Sequence, residues 1–218
     1  MKVKICGITR LEDALIAADA GVDLIGLNFY KPSPRSIKIE DAATLCDALR
    51  AELGTNCPTL VGVFVNMAMG DISIITEKVG LDFAQLSADE TTYMLQELRG
   101  IGFKAIRPMN LDMALDDVSY FADTMPTDDR APSLLLDAYH PNLYGGTGEA
   151  ASVEVAIAVR GKVPRLMLAG GLNPDNIADR VRAIRPWGVD VASGVEDGQA
   201  GIKSEQKMRA FINAAKEA

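Results

Sequence analysis

Eight short apolar runs, separated by amphipathic stretches, recur along the whole chain. They occupy residues 3–6, 24–29, 60–65, 83–86, 104–106, 134–136, 166–169 and 189–192. Most are β-branched or leucine-rich with little polar alternation, the pattern of parallel strands covered on both faces. Between them, apolar residues fall three or four apart. Leu11, Ala14, Leu15 and Ala18 form one such stripe, and Ile177, Val181 and Ile184 another. Thr9-Arg10-Leu11-Glu12 has the form of a capping box, and Asn173-Pro174 places an N-cap residue before a proline suited to the first helical turn. Gly21 and Gly100 stand where helices should stop. Residues 122–132, rich in Asp, Pro and Thr, read as a loop before the sixth strand.

Spread over 218 residues, eight strand–helix units average about 27 residues each, compact but workable for a (β/α)8 TIM barrel of usual size roughly 250. The expectation is an α/β protein in which residues 1–218 form one barrel domain around a parallel eight-stranded sheet. A doubly wound open sheet is the alternative, because alternation alone does not decide closure. At 48% hydrophobic the chain can fill such a core. Its net charge of −8 and pI near 4.7, without basic clusters, argue against nucleic acid or an anionic membrane as partner. No apolar run approaches the roughly 18 residues of a membrane span, and the first residues do not read as a signal peptide. Three cysteines at unrelated spacings, Cys6, Cys46 and Cys57, make neither a disulfide framework nor a zinc site. A reduced, cytoplasmic protein is expected. His140 is the one histidine and is assigned to the surface, so chemistry needing two histidines is excluded.

A barrel of this kind builds its active site at the C-terminal ends of the strands, and the unusual residues collect there. The first strand ends Ile5-Cys6-Gly7, the sixth Leu136-Asp137-Ala138, and the loop after the second carries Pro32-Ser33-Pro34-Arg35. The seventh and eighth run into Ala169-Gly170-Gly171-Leu172 and Ala192-Ser193-Gly194-Val195-Glu196, and Gly145-Gly146-Thr147-Gly148 follows the sixth. Each has a plain reading: a small buried cysteine, a loop-capping aspartate, a solvated arginine, glycines in tight turns. Their common end of the barrel favours chemistry. Gly170, Gly171 and Gly194 fall where barrels hold a phosphate through backbone amides, and Arg35 offers a planar donor for a carboxylate.

Taken in order, these segments resemble the phosphoribosylanthranilate isomerase family along nearly the whole chain. The resemblance rests on Lys4-Ile5-Cys6-Gly7-Ile8-Thr9-Arg10, on Ser33-Pro34-Arg35 within residues 29–36, and on Val61-Gly62-Val63-Phe64-Val65-Asn66. It continues through Leu135-Leu136-Asp137-Ala138, Gly145 to Gly148, Ala169 to Leu172 and Ser193 to Glu196. It implies a (β/α)8 barrel, a cofactor- and metal-free Amadori rearrangement in tryptophan biosynthesis, and a small phosphorylated substrate. Asp137 would be the general acid and Cys6 the general base. Arg35 would face the anthranilate, while Gly146, Thr147, Gly170, Gly171, Ser193 and Gly194 would hold the phosphate end. One departure stands out: relatives commonly read Gln-Leu-His-Gly where this chain has Gln85-Leu86-Ser87-Ala88, which alters the rim of the fourth strand. The assembly implied is a monomer or homodimer.

An acid role for Asp137 near neutrality needs burial or negative neighbours to raise its pKa, and a base role for Cys6 needs nearby positive charge or donors. Strand parity adds an expectation. If Cys6 points into the barrel, so does Lys4, and Asp190 on the neighbouring eighth strand is its natural ion-pair partner. Competing readings are a related or dual-substrate barrel isomerase of histidine biosynthesis, and a non-catalytic barrel that binds a sugar phosphate. The first relatives resemble this chain but place an aspartate where Cys6 stands. Indole-3-glycerol phosphate synthase, a further relative, uses a lysine acid with no matching motif here.

Overall fold

A computed structural model describes residues 1–138 and 152–218. In chain order the elements are β1 (Lys2–Cys6), α1 (Leu11–Asp19), β2 (Leu24–Asn28), α2 (Ile39–Leu53), β3 (Thr59–Phe64), α3 (Met69–Val79), β4 (Phe83–Leu86) and α4 (Thr92–Glu97). They continue with β5 (Gly102–Ile106), α5 (Leu111–Phe121), β6 (Leu134–Leu136), α6 (Val153–Arg160), β7 (Leu166–Leu168), α7 (Ile177–Ile184), β8 (Gly188–Val191) and α8 (Glu205–Glu217). Every apolar run became a strand within one or two residues of its expected bounds. The strands pair in parallel in sequence order, and β8 returns to β1, so the sheet closes as a barrel. The open-sheet alternative is excluded.

Two apolar layers hold the barrel. The inner one includes Leu24, Val61, Phe83, Phe103, Leu135 and Met167, residues of one parity that face the axis. The outer one lies between sheet and helices and includes Ile5, Leu27, Phe64, Leu136 and Phe211. Alternating side chains therefore fill both sides of each strand, which is why the strands read as continuous apolar runs.

Local signals at two helix starts were redirected by tertiary contacts. Thr9 does not cap α1; its hydroxyl donates to Gly201 O at 2.8 Å, across to the β8–α8 loop. On α1 the expected stripe is buried at Ala14 and half-buried at Leu11, Leu15 and Ala18, and Ala17 and Asp13 join it, Asp13 turning inward to accept from Arg10 and from the Lys203 amide. Asn173 forms a turn three residues before Asn176, the N-cap of α7: its side chain accepts from the Asp175 and Asn176 amides, and α7 begins at Ile177. The stripe of α7 is as expected, with Ile177, Val181 and Ile184 all buried. Gly21 and Gly100 follow α1 and α4 with positive φ of 87° and 90°.

Candidate active site

The inward parity of the strands carries the site. On β1 it brings Lys4 and then Cys6 to the axis. It also brings Asn28 of β2 and Gln85 of β4 to the axis, and past the ends of β5 and β6 it brings Arg107 and Asp137 to the same mouth, where Ser193 joins them from the turn after β8. All of these except Lys4 line one cavity of about 480 Å³ at the C-terminal end of the barrel. Arg35, Gly170, Gly171 and Asp190 line it as well. Of the residues expected in the site, Cys6, Asp137, Arg35, Gly170, Gly171 and Ser193 are thus brought together. Gly194 lies one residue beyond Ser193. Gly146, Thr147 and His140 lie outside the described residues.

Asp137 follows β6, and its Oδ1 accepts from the Ala138 amide at 2.8 Å. Burial pushes its carboxyl up to about 6, with Asp190 adding to the rise and Arg107 and Lys4 opposing it. At that value about a tenth of the carboxyl groups carry a proton at pH 7, against about a thousandth for an ordinary aspartate. Burial likewise pushes the Cys6 thiol up, while Lys4 and Lys203 pull it down. Burial therefore keeps the carboxyl available in its protonated form and makes the thiolate scarcer.

Below the mouth, Lys4 donates to Asp190 Oδ2 at 3.0 Å, the ion pair expected from strand parity. The register pairs Lys4 with Asp190 directly across the β1–β8 seam. Lys4 also donates to Gln85 Oε1 at 3.0 Å, and Gln85 Nε2 donates to Ser87 Oγ at 3.1 Å. The rim residue that departs from the family pattern is therefore the last member of a chain of polar contacts that starts at β8. Burial lowers the Lys4 pKa, but Asp190 and Cys6 outweigh it and the amine stays above its ordinary value.

Arg35 is fixed by a fork. Its Nε and Nη2 donate to the two carboxylate oxygens of Glu196 at 2.7 and 2.8 Å. Glu196 also accepts from the Gly201 amide at 2.8 Å and pairs with buried Lys203 at 3.4 Å. Burial alone would raise the Glu196 carboxyl; Arg35, Gly201 and Lys203 together hold it below its usual range. Arg35 keeps both Nη1 hydrogens and one Nη2 hydrogen outside this fork. The rim loops after β2 and β8 are joined through these contacts.

The Gly171 and Ser193 side of the mouth is built from close backbone. Gly170 and Gly171 have φ of 87° and 58°, which re-aims the chain after β7. Residues Ser193–Val195 form a 3₁₀ turn, whose first amides have no partner within the turn. A Cβ on Gly194 would stand 2.0 Å from Leu172 O, so only glycine lets these loops meet. The sequence reading missed Asn28, Gln85, Arg107, Glu196 and Lys203 as site residues. Parity pointed to the first three, since each lies two residues beyond an inward position. For Lys203, in the loop between β8 and α8, no local signal exists.

Residues 3–214 match the family model described as N-(5'phosphoribosyl)anthranilate (PRA) isomerase. The N-(5'-phosphoribosyl)anthranilate isomerase of Trichlorobacter lovleyi is 42% identical over 218 residues, covering 100% of this chain and 99% of that protein. The crystal structure of phosphoribosyl anthranilate isomerase from Thermotoga maritima superposes with a TM-score of 0.86 at 32% identity, each chain fully covered. Another structure of this isomerase, in complex with reduced 1-(o-carboxyphenylamino)-1-deoxyribulose 5-phosphate, superposes with a TM-score of 0.83 at 32% identity, again with full coverage. The chain belongs to the N-(5'-phosphoribosyl)anthranilate isomerase family.

Proposed function

We propose that this protein converts N-(5'-phosphoribosyl)anthranilate to 1-(2-carboxyphenylamino)-1-deoxyribulose 5-phosphate in tryptophan biosynthesis. Asp137 is the general acid and Cys6 the general base, and residues 1–218 act as one catalytic barrel. Asp137 protonates the furanose ring oxygen as the C1'–O bond breaks and the anilino nitrogen forms a Schiff base to C1'. Cys6, as thiolate, then removes the C2' proton. The electrons move into C1'–C2' to give an enolamine, which tautomerises to the ketone. Neither step consumes a redox equivalent, so an acid and a base suffice.

The observation that carries this reading is the pairing of Cys6 with Asp137 at one mouth, the carboxyl raised to about 6. Arg35, oriented by Glu196, offers its remaining hydrogens to the anthranilate carboxylate. The phosphate rests on amides around Gly170, Gly171, Ser193 and Gly194, and Gly146 and Thr147 are assigned to the same group by the family resemblance. Such local donors are needed because the chain as a whole is acidic. The cysteines are free thiols, which supports action in a reducing cytoplasm.

The test is turnover of phosphoribosylanthranilate, followed by its fluorescence, with wild type, Cys6→Ser and Asp137→Asn. Wild type should react, and each variant should lose at least about a hundredfold in kcat, the scale of a removed general acid or base. A folded wild type without turnover sinks the assignment, and full activity in either variant sinks its role.

A further inference from the structure

We propose that Lys4 is a positioning residue for the Cys6 sulfur: its ammonium, aimed by Asp190 and Gln85, supplies the charge that makes the thiolate accessible. This rests on Cys6 being the base of the proposed reaction.

The donors of Lys4 can be counted. An ammonium has three hydrogens. Two are taken by Asp190 Oδ2 and Gln85 Oε1, both at 3.0 Å. The third is left for the groups beside it, of which Cys6 is one. Lys4 and Cys6 lie two residues apart on one face of β1, and both close on Gly26 of β2. A Cβ on Gly26 would stand 2.9 Å from Cys6 Sγ and 3.1 Å from Lys4 Nζ. Gly26 is not among the residues with positive φ, so no turn demands a glycine there. Sulfur and ammonium both border the space that a Gly26 side chain would fill.

The remaining charges around Cys6 do not replace Lys4. Asp190, from β8, faces it with a negative charge; its Oδ1 is buried with no hydrogen-bond partner among the described residues, so Lys4 is its only ion-pair partner there. Lys203, from the loop after β8, is spent on Ala192 O and Glu196. Arg35, from the loop after β2, shares that same Glu196. Gln85 of β4 is neutral and is steadied by Ser87.

The reaction needs Asp137 protonated and Cys6 ionised at the same moment. Burial raises both groups, which favours the acid and opposes the base. Each unit by which the thiol rises above the carboxyl makes that state tenfold rarer. An ammonium beside the sulfur limits the rise without touching the substrate.

The experiment is the pH dependence of Cys6 alkylation by iodoacetamide, read by mass spectrometry in a Cys57→Ser background without substrate. Three variants are compared with Lys4 intact: Lys4→Met, Lys4→Met/Asp190→Asn, and Gly26→Ala. The double variant leaves no unpaired charge inside the barrel, and Gly26→Ala keeps every charge but wedges the pair apart. Lys4→Met should move the alkylation midpoint up by about one unit or more, slowing the reaction about tenfold at pH 7. The double variant and Gly26→Ala should move it the same way by about half a unit or more. A shift in either of those two, with melting and circular dichroism showing a folded protein, carries the proposal. An unchanged midpoint in both overturns it and leaves Lys4 a purely structural partner of Asp190. Failure of the general-base reading is visible separately: Cys6→Ser would then turn over substrate normally while the alkylation shift persisted.

Discussion

A carboxyl raised to about 6 in the folded protein costs stability wherever it is ionised. In the unfolded chain Asp137 loses its proton near pH 4, and in the folded barrel only near 6. The folded state therefore binds more protons in that window, so the contribution is present at low pH and is lost as pH rises through 6. Asp137→Asn mimics the protonated form and escapes the cost. The variant should match wild type near pH 4 and gain about 1–3 kcal/mol above pH 7, measured by urea denaturation at each pH. A constant difference across pH would deny that burial strains this carboxyl. Single residues were legible where parity or motif marked them, as at Cys6, Asp137 and the Lys4–Asp190 pair. The hold of Glu196 on Arg35 was not, since it joins residues 161 apart whose approach exists only after closure.

At the scale of elements, the β4–α4 connection depends on one buried carboxylate. Glu90 accepts from the Asn66 amide at 2.8 Å and the Ala88 amide at 2.7 Å, and pairs with Lys104 at 2.7 Å. Lys104 points outward from β5, donates to Ala88 O as well, and lies 5.6 Å from the Phe121 ring centroid. Two loops, a strand and a helix are thus tied to the rim that carries Ser87. Glu90→Ala strands a buried ammonium and two amides, and should cost about 3–5 kcal/mol by urea denaturation. Replacing Lys104 by Met as well should recover part of the loss; a loss under about 1 kcal/mol in the single variant would remove Glu90 from this role. The strands were readable because each is a short run buried on both faces. The start of α1 and the turn before α7 were misread because Thr9, Asp13 and Asn173 had other partners, and local capping is worth only about 1 kcal/mol against such contacts.

Closure is a property of the whole molecule, and alternation could not decide it; the pairing of β1 with β8 does. The seam is backed by α8, whose Met208, Phe211, Ile212 and Ala215 are buried. Asp23 secures the lower end of β1 by accepting from the Val3 amide and pairing with Lys2 and with Lys216 of α8. The first strand and the last helix therefore stabilise each other, although nearly the whole chain separates them. Phe211 is fully buried, and Phe211→Ala should remove about 3–5 kcal/mol, a large share of the roughly 5–15 kcal/mol that holds a typical fold. Trp187, the one tryptophan, sits at the seam, where its carbonyl accepts from the Lys2 amide at 3.0 Å. Its fluorescence reports the joint, whereas far-ultraviolet circular dichroism reports all the helices. If the barrel unfolds as one unit, the variant should shift both urea transitions down together, with coincident midpoints. A fluorescence transition that falls alone would mean that the seam opens before the rest, and that closure adds less to stability than α8 does.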